Sequence, residues 1–351
     1  MKLLSSYKKT LFSSECLLEI VEVEVGTSLK IKESALSNDC FQKKPNAEIG
    51  DFWQTLIKRI LLILTTIILF SSCVQEKEKS LSFIFTADMR DYTGDNKDYF
   101  RGACEAIKNL ENIQFIVSPG DLDPPDSTFY TIQKYIDREI VWYPVVGNHE
   151  AETDSDMEWL RNHNKEGNSL PNVVNIGPSS CTETTYSFDY ENAHFIILNE
   201  YCNENCDICT NGDIPDVLYN WLENDLKKNT KKHIFVFGHE PAYPMPDMET
   251  QRFRHVHDCL NQNSENRDRF IDLLQEHEVL GYVVGHTHNY SIVKINELWH
   301  IDVGHGRGRG DMGARSTFIK VSINNDKVNY QTYRLDYESR EYKISDTGSL
   351  N

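Results

Sequence analysis

From residue 81 onward, short apolar runs alternate with segments whose apolar positions recur every three to four residues. The first run, 81–87, reads Leu-Ser-Phe-Ile-Phe-Thr-Ala and stops at Asp88. Runs at 114–118 and 141–146 stop at Pro119-Gly120-Asp121 and at Gly147-Asn148-His149-Glu150. Helical periodicity fills the intervals, at 98–110 and 129–139. The spacing predicts a β-α-β-α-β series in which each strand breaks into a polar cluster. The same logic recurs. A strand is expected at 193–198, then a helix at 214–228 with Val217, Leu218, Trp221, Leu222 and Leu226 on one face. The strand expected at 233–237 ends in Gly238-His239-Glu240. A helix at 268–278 leads to a strand at 279–284 and to Gly285-His286-Thr287-His288. Strands at 291–295, 298–303, 317–323 and 327–335 complete a domain over 81–335, and 336–351 reads as a frayed tail.

The leading segment is different. Residues 1–55 carry no clear helical or strand period. Leu56-Ile57-Lys58-Arg59, the apolar run 60–70 and Ser71-Ser72-Cys73 then read as the basic, apolar and small-residue regions of a secretory signal over 56–72. Eleven residues in the run are few against the ~20 a membrane-spanning helix needs. The Ser-Ser-Cys ending, with Phe70 in the usual Leu place, resembles the lipobox of bacterial lipoproteins. That resemblance implies cleavage before Cys73, a lipid on that cysteine, and a tether at 73–80. The expected product is exported to the bacterial cell envelope and anchored to the membrane through its lipid. Translation is expected to start near Leu56, with 1–55 an untranslated or non-native extension; amino-terminal sequencing that recovers 1–55 overturns this. A cytosolic tail followed by a short anchor is the competing reading.

Charge and cysteine usage sharpen the class. The chain of 351 residues has 36 basic and 54 acidic side chains, a net charge of -18. Residues 1–72 hold nine basic and eight acidic ones, so the acidity belongs to the domain. A nucleic-acid partner, which needs a basic footprint, is disfavoured. A hydrophobic share of 39% excludes wholesale disorder. Beyond Cys73 six cysteines remain, Cys104, Cys181, Cys202, Cys206, Cys209 and Cys259, an even number expected to pair as disulfides in an exported protein. Cys202, Cys206 and Cys209 could be three zinc ligands, but no fourth is adjacent, and disulfides are the better reading.

The strand ends carry the chemistry. Five of them deliver Asp88, Asp121, Asn148 with His149, His239, and His286 with His288. Loops at the carboxyl ends of strands in an open α/β sheet converge on one crevice. Asp, Asn and His are oxygen and nitrogen donors suited to Zn, Fe or Mn. A carboxylate among them can bridge two cations, and such a pair makes hydroxide from water at neutral pH.

Taken in order, Asp88, Gly120-Asp121, Gly147-Asn148-His149-Glu150, Gly238-His239 and Gly285-His286-Thr287-His288 resemble the calcineurin-like metallophosphoesterase superfamily over about residues 81–304. The helix with Trp221-Leu222-Glu223-Asn224-Asp225-Leu226 is similar to one in the purple-acid-phosphatase-like branch. The resemblance implies a four-layer α-β-β-α sandwich with two mixed central sheets. It also implies a dinuclear site for two divalent or trivalent ions (Fe, Zn or Mn) and hydrolysis of a phosphorylated small molecule by metal-held hydroxide. Asp121 would bridge the ions, Asp88 and His288 would hold the first, and Asn148, His239 and His286 the second. His149 would donate a proton to the leaving group, and Glu150 would orient its neighbours.

The sequence departs from the family at Arg90, where a metal-binding His is usual, and at Pro124, where purple acid phosphatases have Tyr. A guanidinium cannot ligate a metal. Either the first ion is weakly held, or Asp91 substitutes, or Arg90 clamps the phosphate as part of the catalytic set. Arg307 and Arg309, among glycines 304–310, are expected as an anion-binding rim, with a plain surface hairpin as the alternative. Tyr201, Tyr243 and His255 are places to look for selectivity. Diester or nucleotide substrates, and a binding lipoprotein with a degenerate site, stay open beside the monoester reading.

Overall fold

The computed structural model describes residues 56, 58–60, 80–89, 96–122, 124–209 and 211–351. The chain divides at Gln75/Glu76, and everything below concerns the unit Glu76–Asn351. The expectations for 1–55, for most of the signal, and for Cys73, Arg90 and Asp91 fall on residues outside the described ones. No helix among the described residues is long and apolar enough to cross a membrane.

Strands β1 (Ser80–Phe85), β2 (Ile113–Ser118) and β3 (Val141–Pro144) pair in parallel, joined by helices α1 (Phe100–Lys108) and α2 (Pro125–Tyr135). Helix α2 starts four residues earlier than its periodicity suggests. Pro124 at its N-cap and Pro125 just inside supply the fixed φ that a first turn accepts. Two helices, α3 (Asn148–Ala151) and α4 (Asp154–His163), follow β3.

The second sheet holds β4 (Val173–Ile176), β5 (Tyr186–Tyr190), β6 (Ala193–Ile197), β7 (His233–Phe237), β8 (Gly281–Val284), β9 (Tyr290–Ile295) and β10 (Leu298–Val303). Their order is β4-β5-β6-β7-β8-β10-β9. Helix α5 (Asp216–Lys228) crosses from β6 to β7 and α6 (Ser264–Glu276) from β7 to β8, and both pairs are parallel. The chain then returns to the first sheet with β11 (Thr317–Asn324), β12 (Lys327–Asp336) and β13 (Glu341–Ser349), giving β13-β12-β11-β1-β2-β3.

Alternation along the strands explains why the sheets stack. Phe83 and Phe85, Phe115 and Val117, Phe195 and Ile197, and Phe235 and Phe237 form one buried cluster between the sheets. Phe83 stacks on Phe115 at 5.0 Å and meets Phe195 edge-on at 5.1 Å. The intervening residues face outward. Ile84 and Ile116 pack under α1 and α2, while Ile196, Val236 and Tyr282 pack under α5 and α6. This is the four-layer α/β sandwich with two mixed sheets that the resemblance implies. Truncating a central ring such as Phe83 to Ala would cost about 3–5 kcal/mol through the cavity left behind.

Two expectations are corrected. The segment 336–351 is no frayed tail, because Glu341–Ser349 pairs antiparallel with β12 along its length. Nor do six cysteines pair. Cys181 and Cys202 form a disulfide, whereas Cys104, Cys206, Cys209 and Cys259 are free. Cys104 is buried on the inner face of α1, and Cys259 donates its thiol hydrogen to the His255 carbonyl at 2.8 Å. The Cys206 and Cys209 sulfurs lie 3.3 Å apart.

Candidate metal centre

All the strand-end motifs meet at one edge of the sandwich, where β1, β2, β3, β7 and β8 terminate. The chain turns sharply there. Asp88, Asp121, His286 and His288 all have left-handed backbones, with φ of 54°, 54°, 68° and 57°. Side chains other than Gly, Asn, Asp and His rarely adopt that region, and such strain gathers at functional sites. Gly120, with φ 80°, has no room for a side chain, since a Cβ would stand 2.3 Å from His239 Nδ1. At Gly147 a Cβ would come 2.3 Å from the Asp121 amide nitrogen.

The tautomers of His239 and His286 follow from carbonyl partners, which can only accept. At His288 Nδ1 the Asp311 carboxylate at 2.8 Å is nearer than the donor Arg254 Nη1 at 3.0 Å. His239 Nδ1–H donates to the Pro119 carbonyl at 2.8 Å, and His286 Nε2–H donates to the Asp258 carbonyl at 2.9 Å. His288 Nδ1–H donates to Asp311 Oδ2 at 2.8 Å. The ring nitrogens left over, His239 Nε2, His286 Nδ1 and His288 Nε2, therefore present lone pairs. His286 is pushed down to about 3, by burial first and then by His239 and His255, so its imidazole is neutral. His288 is lowered well below its usual range, chiefly by burial, with Asp311 opposing.

Those lone pairs converge. His239 Nε2 lies 3.2 Å from His286 Nδ1, 3.3 Å from Asn148 Oδ1 and 3.3 Å from Asp121 Oδ1. With His239 neutral, four acceptor atoms stand at hydrogen-bond distance with no hydrogen between them, an arrangement that a cation among them relieves. A Zn or Mn ion with bonds of about 2.0–2.2 Å separates its donors by spacings of this size. A second group, Asp88, Asp121 and His288, brings one ligand atom each within 4.8 Å, all buried. His288 Nε2 is 3.6 Å from Asp88 Oδ1, and both Asp88 oxygens accept the His286 amide at 3.1 Å. Burial first, then Asp121 and Asp302, raises the Asp88 carboxyl well above its ordinary range. A fixed positive charge would reverse that. These oxygen and nitrogen donors are of the kind that hold Zn, Fe or Mn.

The supporting shell is backbone held by carboxylates. Glu150, buried, takes the amides of Gly147 at 2.8 Å, Leu122 at 2.8 Å and Asp121 at 3.0 Å. Glu200 takes the amides of His239 at 2.8 Å and Glu240 at 2.7 Å, and the Tyr282 hydroxyl. Burial, then neighbouring Glu240, raises Glu200 to about 8. His149 stands partly exposed, Nε2 3.8 Å from Asp121 Oδ2.

A family model for calcineurin-like phosphoesterases matches residues 81–290. The chain belongs to that family. The phosphoesterase is similar in structure to GAP50, the anchor in the inner membrane complex of Plasmodium, at 18% identity and TM-score 0.53, covering 78% of this chain and 89% of that one. It is similar to purple acid phosphatase PPD1 from yellow lupin (Lupinus luteus) seeds at 14% identity and TM-score 0.54, covering 78% of this chain and 54% of that one. A likeness to PhoD has 10% identity and TM-score 0.51, covering 78% of this chain and 72% of that one. At these identities the likeness is one of fold. Comparison with curated proteins finds no match.

Sequence reasoning thus placed Asp88, Asp121, Asn148, His149, Glu150, His239, His286 and His288 in one site, and in the phosphoesterase they are together. Tyr201 is buried, its hydroxyl on Glu240 Oε1 at 3.0 Å, and Tyr243 sits under Arg267 with the guanidinium 4.8 Å from its ring. Arg309 is exposed, with its amide on the Asp98 carbonyl at 2.8 Å, while Arg307 is half-buried. Asp311, Arg252, Arg254 and Asp258 were not anticipated. They come from loops with no strand-end signature. Asp302, whose carboxylate accepts the Thr287 hydroxyl, could have been found, because it is a carboxylate inside an apolar strand.

Proposed function

We propose that this phosphoesterase hydrolyses phosphoric esters with two metal ions, one among Asp121, Asn148, His239 and His286, the other among Asp88, Asp121 and His288. The observation that carries the reading is the convergence of His286 Nδ1, Asn148 Oδ1 and Asp121 Oδ1 on His239 Nε2. The ions, when bound, supply an acidified water and positive charge for the phosphoryl oxygens. The chain does the rest. The Pro119 and Asp258 carbonyls and Asp311 hold the three imidazoles in the ligating tautomer. Glu150 fixes the turn that carries Asp121, and His149, at the open side, gives a proton to the departing alkoxide. The Cys181–Cys202 disulfide supports export to an oxidising compartment, with Cys73 as the lipid anchor.

Metal analysis of the purified protein, joined to hydrolysis of p-nitrophenyl phosphate, tests the function. Bound Zn, Fe or Mn and turnover abolished by chelator are expected. No bound metal, and no turnover with any of the three ions added, would sink it.

A further inference from the structure

We propose that Cys206 and Cys209 form a redox-active pair that closes to a disulfide, and reopens, by exchange with disulfides and thiols from solution. The pair lies in the loop between β6 and α5 and does not rest on the hydrolytic reading. Its Sγ atoms stand 3.3 Å apart, so closure asks for only about 1.3 Å of approach. Both side chains are half-buried, within reach of a small reagent, whereas Cys104 and Cys259 are buried.

The loop holds the two thiols in place without a bond between them. Asn203 organises it: Oδ1 accepts the amides of Asn205 at 2.8 Å and Cys206 at 3.0 Å, and Nδ2 donates to Cys209 Sγ at 2.7 Å. The Asn203 amide donates to the Cys206 carbonyl at 2.8 Å, and the Cys209 amide to the Tyr201 carbonyl at 2.7 Å. Between the thiols, Asp207 is gripped by Arg161 at 2.6 and 2.8 Å, and its carbonyl accepts from Asn199 at 3.0 Å. By linkage, a disulfide resists reduction to the extent that the fold loses stability without it. A bond across two intervening residues, in a loop already pinned, gains little from the fold. Cys181–Cys202 differs, joining positions 21 residues apart with each cysteine 1% exposed. The protein therefore carries one locked disulfide and one poised pair.

The exchange balances in two steps. Burial, then Cys206 beside it, pushes the Cys209 thiol up to about 11, which keeps it protonated and leaves Cys206 to attack first. Cys206 Sγ gives up its proton and bonds to one sulfur of an incoming disulfide, and the other sulfur leaves as a thiolate that takes up the proton. Cys209 Sγ then attacks Cys206 Sγ and breaks the mixed disulfide, and the second thiol leaves with the Cys209 proton. Two cysteine thiols are oxidised to one disulfide, and the incoming disulfide is reduced to two thiols. Excess thiol runs the steps backwards.

The test equilibrates the full chain in glutathione buffers of graded poise, alkylates it, and counts labels by peptide mass spectrometry. Labelling of Cys206 and Cys209 is expected to fall together, at least about tenfold, from the reduced to the oxidised end. A Cys206–Cys209 linkage should replace the labels, and return to reduced glutathione should restore them. Cys181 and Cys202 should stay unlabelled throughout. Cys209→Ser should accumulate a glutathione adduct on Cys206, and Cys206→Ser about tenfold less on Cys209. Thiols that stay labelled in oxidised glutathione, or opening of Cys181–Cys202 at the same poise, overturn the proposal. So does a bond from Cys206 or Cys209 to any other cysteine, or equal adducts in the two variants. A Cys206–Cys209 bond that reduced glutathione fails to reopen is structural and overturns it too. If neither variant folds, the labels on the parent decide alone.

Discussion

Asp311 Oδ2 accepts the Nδ1 proton of His288 at 2.8 Å, and that one bond turns Nε2 toward Asp88. Removing it as Asp311→Ala frees the ring to change tautomer and strips Arg252 of its carboxylate. Zn or Mn affinity on the Asp88 side should fall about 10- to 100-fold, with the His239 side little changed. Calorimetric titration that resolves two binding steps checks this. A uniform loss in both steps would mean that Asp311 supports the whole loop rather than one ligand.

Glu150 holds three backbone amides with two oxygens inside a dry interior. Glu150→Gln keeps the shape but turns an NH2 group toward at least one of those N–H donors. The expected cost is about 1–3 kcal/mol of stability, read as a lower urea midpoint at unchanged slope. Turnover should fall with it, because the same amides position Asp121. A variant as stable and active as the parent would remove Glu150 from the support of the site.

Far from the site, His194 joins Asp189 at 2.7 Å and Asp225 at 2.8 Å, tying β6 to α5. Burial alone would lower this imidazole, but the bonds to Asp225 and Asp189 outweigh it and the net shift is upward. The folded protein therefore binds the proton more tightly than the unfolded chain. The stabilisation is complete below the unfolded value, about 6.5, and is lost as pH rises through the higher folded value. Denaturation of the parent and of His194→Gln from pH 5 to 9 should converge as pH rises. A gap that widens with pH contradicts the assignment.

Legibility in the sequence tracked burial. β7 was found to the residue because a continuous apolar run bounded by polar breaks leaves one reading, and β10 likewise in spite of His300 and Asp302 within it. The ligands were legible for the same reason, each following a buried strand directly. β13 was missed because it is a mostly exposed edge strand whose polar residues imitate a loop. Asp311 and Arg254 were missed for a different reason. They reach His288 from loops 23 and 34 residues distant, and no local period announces such a contact. Cys104 and Cys259 show the limit of counting: even numbers suggest pairing, but one thiol is buried on α1 and the other is held by the His255 carbonyl in a loop.

The left-handed turns at Asp88, Asp121, His286 and His288 have an evolutionary consequence. A backbone at φ near 60° admits glycine, asparagine, aspartate and histidine far more readily than any branched side chain. Most replacements the main chain accepts at those positions are thus themselves oxygen or nitrogen donors. A lineage of this protein could drift in its metal preference by single steps. At these four positions loss of a donor leads through glycine or a strained turn, so drift in the site concentrates at Asn148 and His239, whose backbones are not left-handed.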